Sequence, residues 1–342
     1  MSAIPSNDNH LPDGVYVNLP AETYFAQDRL GSTDLVVLHK DPADYYYRSK
    51  HNPHRKAKKA SDEMVFGSGL HALTLEGEKA YVDGFKIRPD TYEDAKTGEI
   101  KPWNGNSNVC KAWLEANERP NVSIIDASAD RRIRHMDALI QHHPELGEAM
   151  KAGMSEVSVL WTDPSGVKMR ARFDKLLPLF ILDLKTFGGD AKGDTTKQQC
   201  LGLVASRSMD VQRFSYAQAR AAMASLPIFG ATPDQEAWLK KVAAVKDWQW
   251  GWVFYRRQDD EKGHAPVVKP ILRSPRDATY LIGEKKVATA IANYQTFVAR
   301  FGFDVPWAVV EVTEEPQDHE FPPWLERIHE PITFPDTLKE AA

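Results

Sequence analysis

Residues 156–185 read EVSVLWTDPSGVKMRARFDKLLPLFILDLK, and this stretch decides the fold. Three runs within it, VSVLW, KMRARF and FILDL, alternate between apolar and polar residues or are continuously apolar. Such runs indicate β-strands, because successive side chains of a strand point to opposite faces of a sheet. The Pro-Ser-Gly sequence at 164–166 lies between the first two runs and is typical of a turn. We therefore predict three strands, of which the first two form a hairpin.

Three acidic residues are set into these apolar runs. They are Glu156, Asp174 and Asp183, and Lys185 follows the last of them by two positions. A spacing of two places Asp183 and Lys185 on the same face of a strand. Burying a carboxylate without a partner is very costly, and a divalent metal ion would partner several acids at once. Oxygen ligands favour Mg²⁺ or Mn²⁺ over zinc, although a structural network of salt bridges also explains the pattern.

Length and composition are those of a globular protein with a substantial core. The chain has 342 residues, of which 42% are apolar and 27% are charged, which fits two domains or one larger α/β domain. No apolar run approaches the roughly 18 to 20 residues of a membrane span, and the N-terminus lacks a signal-peptide core. We therefore expect no membrane association and a cytoplasmic location. The two cysteines, Cys110 and Cys200, exclude a disulfide framework and a four-cysteine zinc or iron-sulfur site within one chain.

A basic stretch stands out in a chain whose formal net charge is -5. Residues 48–59, RSKHNPHRKAKK, contain six lysines or arginines and two histidines without an acid. Such a cluster is either a solvated loop or a contact for a phosphate backbone. The pattern alone does not decide between the two.

Residues 61–78 follow a helical pattern that carries His71. Ser61 begins the stretch as a helix cap, and His71 lies on or beside the apolar face. Gly67 and Gly69 weaken the helix by about 1 kcal/mol each, which suggests that another segment packs closely there. A single histidine on such a face is more often a core residue than a metal ligand, so the pattern by itself does not favour a ligand role.

The rest of the chain supplies helices and an irregular insertion. Residues 84–126 are rich in Pro, Gly, Asn and charge, and we expect one short helix there. The sequence VQRFSYAQARAAMASL at 211–226 predicts a strong helix on which Gln212 and Tyr216 lie one turn apart. A long closing helix is predicted at 277–301, and the last residues are predicted to form a tail.

Several motifs in this order resemble one nuclease family. They are STDLVVLHKDPADYYY, FGSGLHALTLE, SEVSVLW, KMRARFDKL, ILDLKT and VQRFSYAQA, and they extend from about residue 30 to about residue 300. The chain resembles a PD-(D/E)XK nuclease of the exonuclease VIII (RecE) type, the phage-derived exodeoxyribonuclease group related to lambda exonuclease and the RecB nuclease domain. It departs from the superfamily pattern in that no proline precedes Asp174 and the turn from Asp174 to Asp183 is short.

The resemblance implies a role for each matching residue. It implies that a metal ion, Mg²⁺ with Mn²⁺ as the alternative, is bound by His71, Asp174, Asp183 and the backbone carbonyl of Leu184. Lys185 would be the catalytic lysine, and Asp174, Asp183 and Glu156 would be the catalytic acids, with Glu156 acting through water or on a second metal. The resemblance implies that Gln212 and Tyr216 contact the DNA. From their charge, we also predict that the basic residues Arg55, Lys56, Lys58, Lys59 and Arg172 contact its phosphate backbone.

The resemblance also implies an architecture. We expect an α/β fold with a restriction-endonuclease-like core, in which helices flank a mixed central β-sheet. Residues 1–60 would form an N-terminal arm and helical segment packed on the core, 61–305 the nuclease domain and 306–342 a C-terminal tail. Relatives of this type form rings that thread duplex DNA, so a homo-oligomer is expected.

The expected activity is metal-dependent degradation of linear double-stranded DNA, in the 5′ to 3′ direction. It would leave 3′ single strands for a single-strand annealing protein in phage or prophage recombination. Two alternatives are a structure-specific endonuclease of the same fold and a non-catalytic DNA-binding assembly protein. The presence of all the core acids and of Lys185 disfavours the second alternative.

Overall fold

The three predicted strands lie at the centre of a mixed β-sheet. The computed structural model describes residues 10–56, 60–187, 195–257, 263–309 and 317. The chain divides into two compact units, Met1–Pro306 and Trp307–Ala342, and all helices and strands given below belong to the first. Within the described residues, no helix combines the length and the apolar character needed to span a bilayer.

Strands and helices both occur throughout the described part of the first unit. The strands are β1 Gly14–Tyr16, β2 Phe85–Arg88, β3 Thr91–Glu93, β4 Ile100–Pro102, β5 Ser123–Asp126, β6 Met154–Thr162, β7 Lys168–Leu176, β8 Phe180–Thr186, β9 Ile228–Phe229, β10 Gln249–Arg256 and β11 Val267–Arg273. The helices are α1 Ala21–Ala26, α2 Ser32–Lys40, α3 Pro42–Arg48, α4 Asp62–His71, α5 Glu78–Gly84, α6 Asn108–Asn117, α7 Ala127–Gln141, α8 Leu146–Lys151, α9 Thr196–Ser206, α10 Met209–Ala222, α11 Pro233–Ala244 and α12 Ala278–Phe301, with a π-helical turn at Ala72–Glu76.

The described residues form a seven-stranded sheet in the order β11-β10-β8-β7-β6-β1-β9. The β6–β7 pair is the predicted antiparallel hairpin, and β8 continues the sheet antiparallel to β7. The pairs β8–β10 and β1–β9 are parallel, so the sheet is mixed. The expected mixed central sheet with flanking helices is therefore confirmed.

Helices cover the two faces of this sheet. On one face, α4 and α7 pack against Leu182, Leu184 and Val253 to form a buried apolar cluster. On the other face lies α10, whose Tyr216 ring packs edge-on against Phe173 and Trp250 at centroid distances of 5.6 and 5.8 Å. Strand β8 is thus enclosed between two helical layers, which explains why its FILDL run is almost continuously apolar.

The close approach that the glycines of α4 suggested is present. A Cβ atom on Gly69 would lie 2.7 Å from Ile133 Cδ1, and one on Gly67 would lie 3.5 Å from both Thr186 Oγ1 and the Tyr255 hydroxyl. The helix therefore lies directly on α7 and on the ends of β8 and β10. This contact brings His71, the last residue of α4, to the end of β8.

Two local predictions differ from the structure. The start of the chain was predicted to be an N-terminal arm and helical segment, whereas its strand β1 lies within the central sheet and pairs with β6 on one side and β9 on the other. Strand β9 has only two residues, too short for a periodic pattern to reveal it. The insertion at 84–126 contains four short strands besides its helix, and they pair only within two small two-stranded sheets.

Candidate metal centre and active site

The site is built where β7 and β8 separate. These strands pair at Lys175 with Leu182 and at Leu176 with Ile181, and the ladder stops there. One position beyond, an oxygen of the Asp174 side chain accepts a hydrogen bond of 2.8 Å from the backbone N–H of Leu184. The carboxylate therefore accepts a hydrogen bond from a backbone N–H group that has no ladder partner on β7. This hydrogen bond fixes the position of the Asp174 side chain at the fork, the point where β7 and β8 separate.

Three potential ligands converge at this fork. Ligand atoms of His71, Glu156 and Asp174 all lie within 4.8 Å of one another, and the three side chains are partly buried. His71 Nε2 is 3.8 Å from Asp174 Oδ2 and 3.3 Å from the carbonyl oxygen of Leu184. One imidazole nitrogen, two carboxylates and an adjacent backbone carbonyl are a donor set that suits Mn²⁺ or Mg²⁺. The residues present thus fit the metal ion that the sequence predicted.

Glu156 is held in an unusual backbone conformation. Its φ angle is 55°, in the left-handed region that residues other than glycine seldom occupy. The β6–β7 ladder pairs the residues on either side of it, Ser155 with Lys175 and Val157 with Phe173, but not Glu156 with Asp174. Local backbone strain of this kind costs of order 1–3 kcal/mol and tends to cluster at functional sites.

Arg172 is the cation that holds Glu156. Arg172 Nε lies 2.7 Å from Glu156 Oε2, with only 12% and 20% of the two side chains exposed. The same guanidinium donates a hydrogen bond to the carbonyl of Leu19 and stacks on the Tyr24 ring, 5.3 Å from its centroid. These contacts hold Arg172 against the protein, and its predicted contact with DNA stays a prediction.

Asp183 and Lys185 form an ion pair beside the three potential ligands. Lys185 Nζ lies 2.7 Å from Asp183 Oδ2, as their spacing on one strand face predicted. Gln212 Nε2 donates a hydrogen bond of 2.7 Å to Asp183 Oδ1, so both carboxylate oxygens have partners. Asp183 does not belong to the group of converging ligand atoms formed by His71, Glu156 and Asp174. The role of Asp183 as a ligand therefore stays a prediction.

Burial and neighbouring charges shift the pKa values of Glu156, Asp183 and Lys185. Burial raises the pKa of Glu156 to about 8; the nearby Asp174 adds to this shift and Arg172 opposes it. Burial raises the pKa of Asp183 to about 7; Lys185 opposes this shift and Asp174 adds to it. Burial acts to lower the pKa of Lys185, but Asp183 and Asp174 outweigh it and leave the pKa above its ordinary value. The site thus concentrates negative charge, which a cation would relieve, and keeps Lys185 in its ammonium form.

A cleft of about 1720 Å³ opens onto these residues. Of the residues predicted to contact DNA, Arg55 and Lys56 line it and form no ion pair within the part of the chain that the structure describes. Lys58 and Lys59 lie outside the described residues. Gln212 and Tyr216 also line the cleft, although Tyr216 is only 8% exposed.

The cleft also contains cations that the sequence analysis missed. They are Arg207, just before α10, and Arg256 and Arg257 at the end of β10. Since β8 and β10 are parallel, with Phe254 opposite Lys185, the end of β10 reaches the same edge of the sheet as Lys185. An arginine pair directly after a strand that is parallel to the catalytic one is the signal that could have revealed them. No sequence pattern predicts that Arg207 lines the cleft.

The raised pKa values of two carboxyl groups in the site predict how the stability of the protein depends on pH and on bound metal. The pKa values of Glu156 and Asp183 are raised in the folded protein, so the folded state holds these protons more tightly than the unfolded state. Their protonation stabilises the metal-free fold below about pH 4, and this contribution is lost as the pH rises to about 8. Metal binding requires the deprotonated carboxylates. We therefore expect the rise in melting temperature caused by Mg²⁺ or Mn²⁺ to be larger at about pH 8 than at about pH 6.

Differential scanning fluorimetry with and without metal at both pH values measures this effect. The Glu156→Gln variant is the control, because it removes one of the two titrating groups and should reduce the difference between the two pH values. An equal metal-induced shift at both pH values would contradict the assignment of these carboxylates to the metal centre.

Comparison with known proteins agrees with this geometry. A family model described as a PDDEXK-like domain of unknown function (DUF3799) matches residues 34–225, more than half of the chain, and all the proposed metal and catalytic residues lie within the match. No curated protein matches the sequence. The crystal structure of a protein from Eubacterium rectale named "Putative exonuclease" superimposes with a TM-score of 0.50 and 12% identity over 95% of this chain and 98% of that one. At that identity the superposition shows a shared fold.

Proposed function

Since the chain belongs to the family of PDDEXK-like domains described by the matching model, we propose that it is a metal-dependent deoxyribonuclease that degrades linear duplex DNA from its ends. The observation that carries the proposal is the convergence of His71, Glu156 and Asp174 beside the Asp183–Lys185 ion pair, inside a cleft that Arg55, Lys56 and Arg207 also line. A phosphodiester is an anion that such a cleft attracts. The metal is Mg²⁺ or Mn²⁺.

Each residue of the site has a role in this reaction. His71, Glu156, Asp174 and the carbonyl of Leu184 would hold the metal ion, which polarises the scissile phosphate and lowers the pKa of a bound water. Lys185, kept protonated by its carboxylate neighbours, places a positive charge where charge develops on the phosphate. Gln212 holds the Asp183 carboxylate in the rotamer that anchors Lys185. Arg55 and Lys56 contact the phosphate backbone on one wall of the cleft.

The finer part of the proposal concerns direction and biological role. We propose 5′ to 3′ digestion that leaves 3′ single strands, used by an annealing protein in phage or prophage recombination, and assembly into a homo-oligomeric ring. The resemblance to the exonuclease VIII type supports this part.

Digestion of linear and closed circular DNA tests the exonuclease assignment. We expect linear duplex to be converted to acid-soluble nucleotides in the presence of Mg²⁺, whereas covalently closed circles of the same sequence stay intact because they offer no end. Opening of the circle would favour the endonuclease alternative. Binding without cleavage of either substrate would favour the non-catalytic alternative.

A further inference from the structure

Phe25 is a large apolar side chain that projects into the cleft. It is 65% exposed and lines the same cleft as the metal centre. Two further exposed apolar side chains line this cleft, Tyr47 at 51% and Met64 at 55% exposure. Single exposed apolar residues are common on protein surfaces, but several of them within one cationic cleft indicate a binding site.

The backbone beneath Phe25 is firmly anchored. Arg170 donates hydrogen bonds to the carbonyls of Tyr24 and Phe25, at 3.0 and 2.9 Å, and only 15% of the Arg170 side chain is exposed. The guanidinium carbon of Arg170 lies 5.7 Å from the centroid of the Phe25 ring, and the Tyr24 ring packs edge-on at 5.1 Å. The ring is therefore supported from the protein side and open on the cleft side. An ordered platform of this kind binds a flat ligand at a small cost in conformational entropy.

A short series of contacts connects this platform to the metal centre. The Tyr24 ring that supports Phe25 also carries the guanidinium of Arg172, 5.3 Å from its centroid. Arg172 in turn lies 2.7 Å from Glu156, one of the three converging ligands. Phe25 is thus separated from the metal centre by only two side chains. A DNA strand whose phosphate reaches the metal would have its neighbouring nucleotides close to Phe25.

We propose that Phe25 is a stacking site for an unpaired nucleobase of the DNA end. In an intact duplex both faces of every internal base are already stacked, whereas a base released from the helix offers a free face to the ring. Stacking on aromatic side chains, together with cations that contact the backbone, is how proteins bind single strands without sequence preference. Arg55 and Lys56 supply such cations in the same cleft. This inference rests on the proposed nuclease function and adds to it a contact for an unpaired base at the DNA end.

Binding measurements with Ca²⁺ in place of Mg²⁺ test the proposal, because the DNA is then bound without being cut. The probe is a duplex with a short 5′ single-stranded tail in which one base is the fluorescent analogue 2-aminopurine. We expect Phe25→Ala to weaken binding of this probe about tenfold and to abolish the fluorescence change on binding. Phe25→Trp should restore both signals. A covalently closed circular duplex, which has no unpaired base, should be bound equally well by all three proteins.

The matched control is Ile100→Ala, which truncates a side chain that is 67% exposed on β4 and does not line the cleft. It should leave both signals unchanged, and equal melting temperatures would show that the variants are folded. If Phe25→Ala binds the tailed probe with the affinity of the wild-type protein, the stacking site is overturned. An equal loss of affinity for the tailed and the closed DNA would overturn it as well. If the wild-type protein binds neither DNA, the proposed function itself fails.

Discussion

Replacing Lys185 with alanine is expected to lower the rate of DNA cleavage by about a thousandfold while the protein stays folded. Lys185 supplies the ammonium group that lies 2.7 Å from Asp183 at the floor of the cleft, and no other lysine lines that cleft except Lys56 within the described chain. The variant leaves Asp183 buried without its cation. Because burial already raises the pKa of Asp183 to about 7, the carboxyl group can take up a proton instead of remaining as an unpaired charge.

Release of acid-soluble nucleotides from linear duplex in Mg²⁺ measures this effect, and circular dichroism checks the fold. Lys79→Ala is the matched control. Lys79 is 88% exposed on α5, pairs with Asp83 and does not line the cleft, so its loss removes one positive charge without changing the cleft lining. Cleavage at the wild-type rate by a folded Lys185→Ala protein would exclude Lys185 from the reaction.

The Asp174→Asn variant is expected to lose cleavage to a similar extent and yet to gain stability without metal. Asp174 accepts the Leu184 N–H, lies 3.8 Å from His71 and raises the pKa of both Glu156 and Asp183. An asparagine keeps the hydrogen bond to Leu184 but removes the negative charge. The metal-free variant should therefore be more stable than the wild type by about 1 kcal/mol at about pH 8.

Thermal or urea unfolding with and without Mn²⁺ measures both parts of this prediction. The wild-type protein should be stabilised strongly by Mn²⁺ and the variant little. At about pH 5, where Glu156 and Asp183 are protonated in both proteins, the difference in metal-free stability should shrink. A variant that is less stable than the wild type at about pH 8 would show that Asp174 serves the fold and not the metal.

The three strands within residues 156–185 and the Asp183–Lys185 pair could be predicted from the sequence because both depend on local periodicity. A spacing of two on a strand places two side chains on one face whatever the rest of the chain does. His71 is different. It is 113 residues from Leu184, and only the packing of α4 against the sheet brings the two within 3.3 Å. The glycines of α4 indicated a close contact but not the segment that makes it.

The partners of the arginines could not be predicted at all. The alternation in KMRARF indicates that Arg170 and Arg172 share a face, and a basic strand beside a nuclease site suggests DNA. In the structure both guanidiniums stack on Tyr24, and Arg172 holds Glu156. Tyr24 belongs to α1, more than a hundred residues away, in a segment whose helix is too short to show a period. The left-handed backbone conformation of Glu156 likewise could not be predicted, because no sequence pattern indicates it.

The most direct test of the central claim is digestion of linear duplex DNA that carries a label at the 5′ end in one sample and at the 3′ end in another. The wild-type protein in Mg²⁺ should release the 5′ label early as a short product, whereas the 3′ label stays on long single strands, and chelation of the metal should stop both. Absence of any cleavage by the wild-type protein in Mg²⁺ and in Mn²⁺ would contradict the assignment of this site as a metal-dependent nuclease.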